Sequence, residues 1–252
     1  GVAHAETIAA HHGLIAEPPY LYNRVGMETP GNSFREDLEE GAALLRSPVF
    51  CLNVVVGHAG RISEAFAGEP VACHRAAAAF NQRLAGRPME RRVDGVLTCS
   101  HPMDMNFKQS MKCVGNTLPA LKPRGVVMGF LRAERGVDDV RVPDAAKPLW
   151  LVKGLLRLLG PSRVLGLVER VRPGLSVEET FLVYYTMQLM REHDLYLWVP
   201  ALDEETARRL GFFRRCTDPQ EVVALGARRM PRRAEVAVFP EGGATFPVLR
   251  GP

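Results

Sequence analysis

Cysteine is scarce here and shows no framework. The chain of 252 residues holds five cysteines, an odd number, and none forms a C-x-x-C pair. Cys51, Cys73, Cys99, Cys113 and Cys216 mostly lie in apolar text. This argues against a disulfide-stapled scaffold and fits reduced thiols in a cytoplasmic protein. A dominant charge is also lacking: 32 Lys and Arg stand against 28 Asp and Glu, a net charge of +4. The densest basic cluster, ARRMPRR at 227–233, has no aromatic residue interleaved with it, and aromatics make up 7% of the chain. A nucleic-acid partner calls for a larger and more one-sided basic footprint, so none is expected. No membrane-spanning run occurs either. The most apolar helical text, LWLVKGLLRLLG at 149–160, carries Lys153 and Arg157 and stops at Gly160-Pro161. It is too short and too charged to cross a bilayer and reads as an amphipathic helix. The first residues show no signal-peptide pattern. No internal repeat or low-complexity stretch is present.

What is present is ordinary globular text, 46% hydrophobic and 24% charged. Residues 1–12 read as an Ala-rich helix that Gly13 can stop. Ser33 with Glu36 forms a capping box before a helix reaching about Leu45. Two strands, 49–56 and 61–67, flank Gly57-His58-Ala59-Gly60 and read as a hairpin; a helix over 71–85 follows. The polar break GRPMERR at 86–92 suggests a boundary between domains 1–90 and 91–252. Beyond it lies strand 93–100, helix 104–121 and strand 124–133, a βαβ unit with parallel strands and a right-handed crossover. A charged loop, helices over 148–171 and 177–192, strand 195–200, two helices opened by Asp203 and Asp218, and a hairpin about Gly242-Gly243 complete the chain. The expected fold class is α/β in two domains. The second is a βαβ-built three-layer sandwich around a mostly parallel sheet.

Four groups of residues could carry chemistry. His11 and His12 end the first helix. Neighbours on a helix point about 100° apart, so the pair cannot chelate one ion together. Imidazole suits zinc, copper and nickel, but on composition alone two ordinary histidines favoured by the helix dipole explain the pair. Gln109 and Lys112 share a helix face three residues apart, with Asp104 as an N-cap, and could grip a small carboxylate. Surface solubility explains the same residues, since Asp104 and Lys108 make a routine i, i+4 pair. Cys99, Ser100 and His101 could be a nucleophile and base, yet LTCSH lacks the glycines of a nucleophile elbow. PEGGAT at 240–245 is explained by a hairpin turn, without a phosphate loop.

The order of pieces resembles a known family. ETIAAHH, GNSFRED, LNVVV with its hairpin, AFAGEPVACH, HPMDMNFKQSMK and a closing VFPEGG are similar to the nickel-pincer lactate racemases, which racemise or epimerise 2-hydroxy acids. The most specific parts are ETIAAHH and P-x-D-x-N-x-x-Q-x-x-K, here Pro102, Asp104, Asn106, Gln109 and Lys112. The resemblance implies a nickel-pincer nucleotide cofactor, with His12 as a nickel ligand and Phe181 standing where some members place a tryptophan near the cofactor. It implies that Gln109 and Lys112 hold the substrate, supported by Asp104 and Asn106. It implies hydride abstraction and return through a 2-keto acid. It also implies that 1–90 is the C-terminal part of a cofactor-binding domain, and that the tethering lysine of a G-G-K segment belongs before Gly1. The chain would then be about the last three-fifths of a member, inactive alone. Its partners would be that missing N-terminal half and the cofactor-synthesis enzymes. Two other functions compete with this one: a non-catalytic module that binds small carboxylates, and a hydrolase or transferase working through Cys99 and His101.

Overall fold

The computed structural model describes residues 4–13, 32–57, 60–138, 140–171, 174 and 177–250. It contains two compact units, Gly1–Arg87 and Pro88–Pro252.

The first unit has helices α1 (Ala5–Gly13) and α2 (Ser33–Ala43), strands β1 (Cys51–Val56) and β2 (Ile62–Gly68), and helix α3 (Pro70–Ala85). The strands form the expected antiparallel hairpin, with Asn53 opposite Phe66 and Val54 opposite Ala65. α3 starts where Glu69 accepts from the amides of Val71 and Ala72, with Pro70 in the first turn. It covers one face of the hairpin: Val55, Cys73 and Ala77 are buried, and Asn53 Nδ2 donates to Cys73 Sγ at 3.2 Å. Strand alternation turns Leu52, Val54 and Val56 to the other face, where they stay 67%, 46% and 56% exposed. α2 differs from expectation at its start. Asn32, not Ser33, is the N-cap residue, and it makes no side-chain cap bond.

The second unit is a three-layer α/β sandwich. Gly86–Met89 (β3) occupies part of the polar break and leads into it. The remaining elements are β4 (Val93–Cys99), α4 (Phe107–Ser110), α5 (Lys112–Thr117), β5 (Leu121–Phe130), α6 (Leu149–Leu159), α7 (Pro161–Val171), α8 (Val177–Glu192), β6 (Asp194–Trp198), α9 (Glu204–Leu210), β7 (Arg214–Cys216), α10 (Pro219–Arg229), β8 (Val236–Phe239) and β9 (Phe246–Leu249). Five strands, in the order β7-β6-β5-β4-β8, form one sheet, and every pairing in it is parallel. Parallel strands buried on both faces should be apolar throughout, as Val126, Val127, Met128 and Leu195, Tyr196, Leu197 are. On one face Val126, Met128, Tyr196, Cys216 and Val222 form a core cluster under α10. Gly226 of α10 comes so close that an added Cβ would lie 2.6 Å from Met128 Cγ. The other face carries Thr98, whose hydroxyl donates to the carbonyl of Cys113 in α5.

Two expectations fail in instructive ways. The helix placed over 104–121 is three short pieces: α4, α5 and a 3₁₀ turn over Leu118–Ala120. Thr117 Oγ1 bonds back to Cys113 O at 2.8 Å, and Pro119 follows, so the last turn tightens and β5 begins at Leu121. The closing hairpin does not form. β8 joins the central sheet beside β4, while β9 pairs with β3, and Arg250 N donates to Met89 O.

At the amino end of β6, burial pushes His193 down to about 4 from its ordinary 6.5, although its Nδ1 faces Gly125 O. The unfolded chain therefore binds a proton that the folded chain rejects between those values. Stability contributed by neutral His193 is full above about pH 6.5 and is lost as pH falls toward 4, by up to roughly 3 kcal/mol. Denaturant titrations between pH 7 and pH 4 should show this loss, and His193→Gln should flatten the dependence.

Candidate functional site

The carboxyl end of a parallel sheet is where open α/β folds receive ligands, at the point where strand order reverses. In this sheet β5, β6 and β7 lie to one side of β4 and β8 to the other, so the reversal falls at β4. The loop that leaves β4 is held in place by buried hydrogen bonds. Ser100, 1% exposed, accepts from Arg132 N at 3.1 Å and donates to Asp104 Oδ1. Asp104 Oδ2 faces His101 Nδ1 at 3.3 Å. The backbone continues the clasp: Glu134 N donates to Asp104 O, Arg135 N to Met105 O, and Phe107 N to Gly136 O, all at 2.8–2.9 Å. Ala133, fully buried, takes a left-handed φ of 45° that disfavours a side chain. It is fixed by Ser110, whose hydroxyl accepts from Ala133 N and donates to Met103 O.

Asp104 is thus not the helix cap the sequence suggests, because its carboxylate is spent on Ser100 and His101. Asn106 takes that part. Only 5% exposed, it accepts from Gln109 N at 2.9 Å and donates to Asp138 Oδ2 at 3.0 Å. Gln109 closes α4 and Lys112 opens α5. Met111 between them keeps helical angles, and its amide donates to Phe107 O, so the i, i+3 relation persists across the break. Gln109 is half-buried and Lys112 is exposed.

The glycines after β8 close the other side of the loop. A Cβ on Gly242 would lie 1.9 Å from Thr98 Oγ1, and one on Gly243 would lie 2.2 Å from Ser100 O. Asn116 Nδ2 donates to the carbonyls of both glycines. PEGG is therefore a packing loop clamped on the end of β4, a role that neither a hairpin nor a phosphate loop describes.

Beside this loop is a cavity of about 370 Å³ that Cys99, Ser100, His101 and Asp104 help to line. Gln109 and Lys112 are not among its lining residues. Cys99 and His101 share it, but not as nucleophile and base. Burial, with the Asp104 charge behind it, pushes the Cys99 thiol up, away from the thiolate such chemistry needs. His101 meanwhile orients on Asp104.

In the first unit His11 Nδ1 lies 2.7 Å from Asp37 Oδ2, with its ring edge-on to Phe34 at 4.9 Å. His12 is the next residue of α1. Its side chain, like that of Phe181 in α8, lies outside the described residues. Among the described residues no group of three or more His, Cys, Asp or Glu side chains could hold a metal ion. A protein-only site needs about that many ligands.

No family model matches the chain, and no curated protein matches it by sequence. Solved structures do. The lactate racemase apoprotein from Thermoanaerobacterium thermosaccharolyticum superposes with a TM-score of 0.72 at 19% identity, over 96% of this chain and 55% of the racemase. A protein from Thermotoga maritima superposes with a TM-score of 0.60 at 13% identity, over 99% of this chain and 61% of its own. The chain has the lactate racemase fold and spans little more than half the length of these relatives. No helix among the described residues is long and apolar enough to cross a membrane.

Replacing Gly243 with Ala should cost about 1–3 kcal/mol, because the obstructing atom is backbone and cannot turn aside. Urea denaturation of the two proteins measures the difference.

Proposed function

We propose that this chain is the C-terminal portion of a nickel-pincer-dependent racemase or epimerase acting on a 2-hydroxy acid in the cytoplasm. The observation that carries the reading is a coincidence. A fold shared with lactate racemase along 96% of the chain accompanies an amide and an ammonium, Gln109 and Lys112, set just beyond the strand at the switch point.

Racemising a 2-hydroxy acid requires breaking a C–H bond beside an ionised carboxylate, where simple proton removal is unfavourable. The cofactor, when bound, supplies a hydride acceptor and donor, and His12 is the residue of this chain that would hold its nickel. The remaining work belongs to side chains. Lys112 offers three donors and a full charge to the substrate carboxylate. Gln109 gives a second polar contact, and Asn106 fixes it by capping its backbone amide. Two contacts from one rigid turn hold the acid in place while its second carbon changes geometry, so that either face can be presented. The lysine that tethers the cofactor and the base that takes the hydroxyl proton are assigned to further chain upstream of Gly1, supplied with cofactor by its synthesis enzymes. The open apolar face of Leu52, Val54 and Val56 is a surface such chain would cover.

Two measurements test this on the full-length gene product co-expressed with cofactor-making enzymes. Lys112→Ala should lower kcat/KM for the 2-hydroxy acid by roughly ten- to a hundredfold, with unchanged melting, since the side chain is exposed. Nickel assayed by mass spectrometry should be present in the wild type and reduced in His12→Ala. A wild-type protein that never carries nickel would remove the proposal.

A further inference from the structure

The cavity beside the β4 loop is built by a regular device. In the sheet register Cys99 pairs with Phe130, and Phe130 pairs with Trp198. These are the last ladder residues of three neighbouring strands, so their side chains form a row on one face at the carboxyl edge. Two residues further along each strand direction come His101, Arg132 and Pro200, and all six line the cavity. The second row stands where the chain leaves the strands, and it opens onto the same cavity as the first. The result is an apolar floor dominated by two aromatic rings, with a polar rim holding one guanidinium and one imidazole.

We infer that this cavity binds an organic carboxylate with a flat apolar body, an aromatic acid, lying on Phe130 and Trp198 with its carboxylate toward Arg132 and His101. Its volume of about 370 Å³ falls within the range of small-molecule pockets. Aromatic floors favour flat partners through offset stacking. Arg132 is available for exchange. Its partner Glu134 lies 3.0 Å away, but the two side chains are 69% and 53% exposed, and such pairs hold weakly. Asp104, the one carboxylate in the lining, is engaged by the Ser100 hydroxyl and by His101. The site is separate from the proposed Gln109–Lys112 grip. Phe130 and Trp198 stand on the sheet face of the α10 cluster, while α5 packs against Thr98 on the opposite face.

The chain has two tryptophans, and Trp150 is 75% exposed on α6, so Trp150→Phe leaves Trp198 as the only tryptophan, excited selectively at the red edge beyond tyrosine absorption. Titrating this protein with phenylacetate should change Trp198 emission saturably, while acetate at equal concentration should not. Arg132→Gln in the same background, at an exposed position, should weaken phenylacetate binding by about tenfold. No saturable change, an equal response to acetate, or full affinity in Arg132→Gln would each overturn the inference. Phenylacetate has no 2-hydroxyl group and the readout needs no nickel, so the result does not depend on the racemase reading.

Discussion

The buried hydroxyl of Ser100 is the point on which the carboxyl edge of the sheet depends. It accepts a hydrogen bond from the Arg132 amide, just past β5, and donates one to Asp104, thereby joining the exits of β4 and β5. A hydroxyl buried this deeply must have its hydrogen bonds met, or it costs about 1–3 kcal/mol. Meeting them fixes where the chain goes next. The loop from His101 to Asn106 then lies along 132–136, Asn106 caps the following turn, and Gln109 and Lys112 emerge at a set angle. From above, Gly242 and Gly243 press so closely that no side chain fits between. The position of the two polar residues is inherited from packing several residues away.

That arrangement separates two surfaces. One face of the sheet leads through α5 to an amide and an ammonium suited to a carboxylate. The other ends in Cys99, Phe130 and Trp198, an apolar row with a basic rim. Both sit at the edge where a parallel sheet exposes strand ends: the grip on the short helices that follow β4, the row on the last residues of β4, β5 and β6. Burial keeps Cys99 a thiol there, which suits a floor residue.

Much of this was legible in sequence. Apolar runs such as GVVMGF and LYLWV marked strands buried on both faces, and Asp203 and Asp218 stood where helices start and do cap them. The parallel sheet followed from the alternation of strand and helix. The errors came where local text carried two signals. PEGG between two apolar runs reads as a turn, but pairing is decided by which strand edges are open, and β8 found β4. Asp104 is a good cap by type and position, yet Ser100 and His101 claimed it, a competition visible only once β4 and its loop are folded. The aromatic row could not be read from sequence at all, because it depends on register between strands about 30 and 70 residues apart. His12 and Phe181 were chosen by resemblance and remain proposals, since their side chains lie outside the described residues.

Hydrogen exchange on a Ser100→Ala protein tests the central constraint most directly. Losing that hydroxyl should speed exchange at Arg132, Glu134, Arg135 and Phe107 together, with little change at Leu195–Leu197 in β6. Faster exchange at Arg132 alone, with the other three amides as protected as in the wild type, would contradict a loop organised through Ser100.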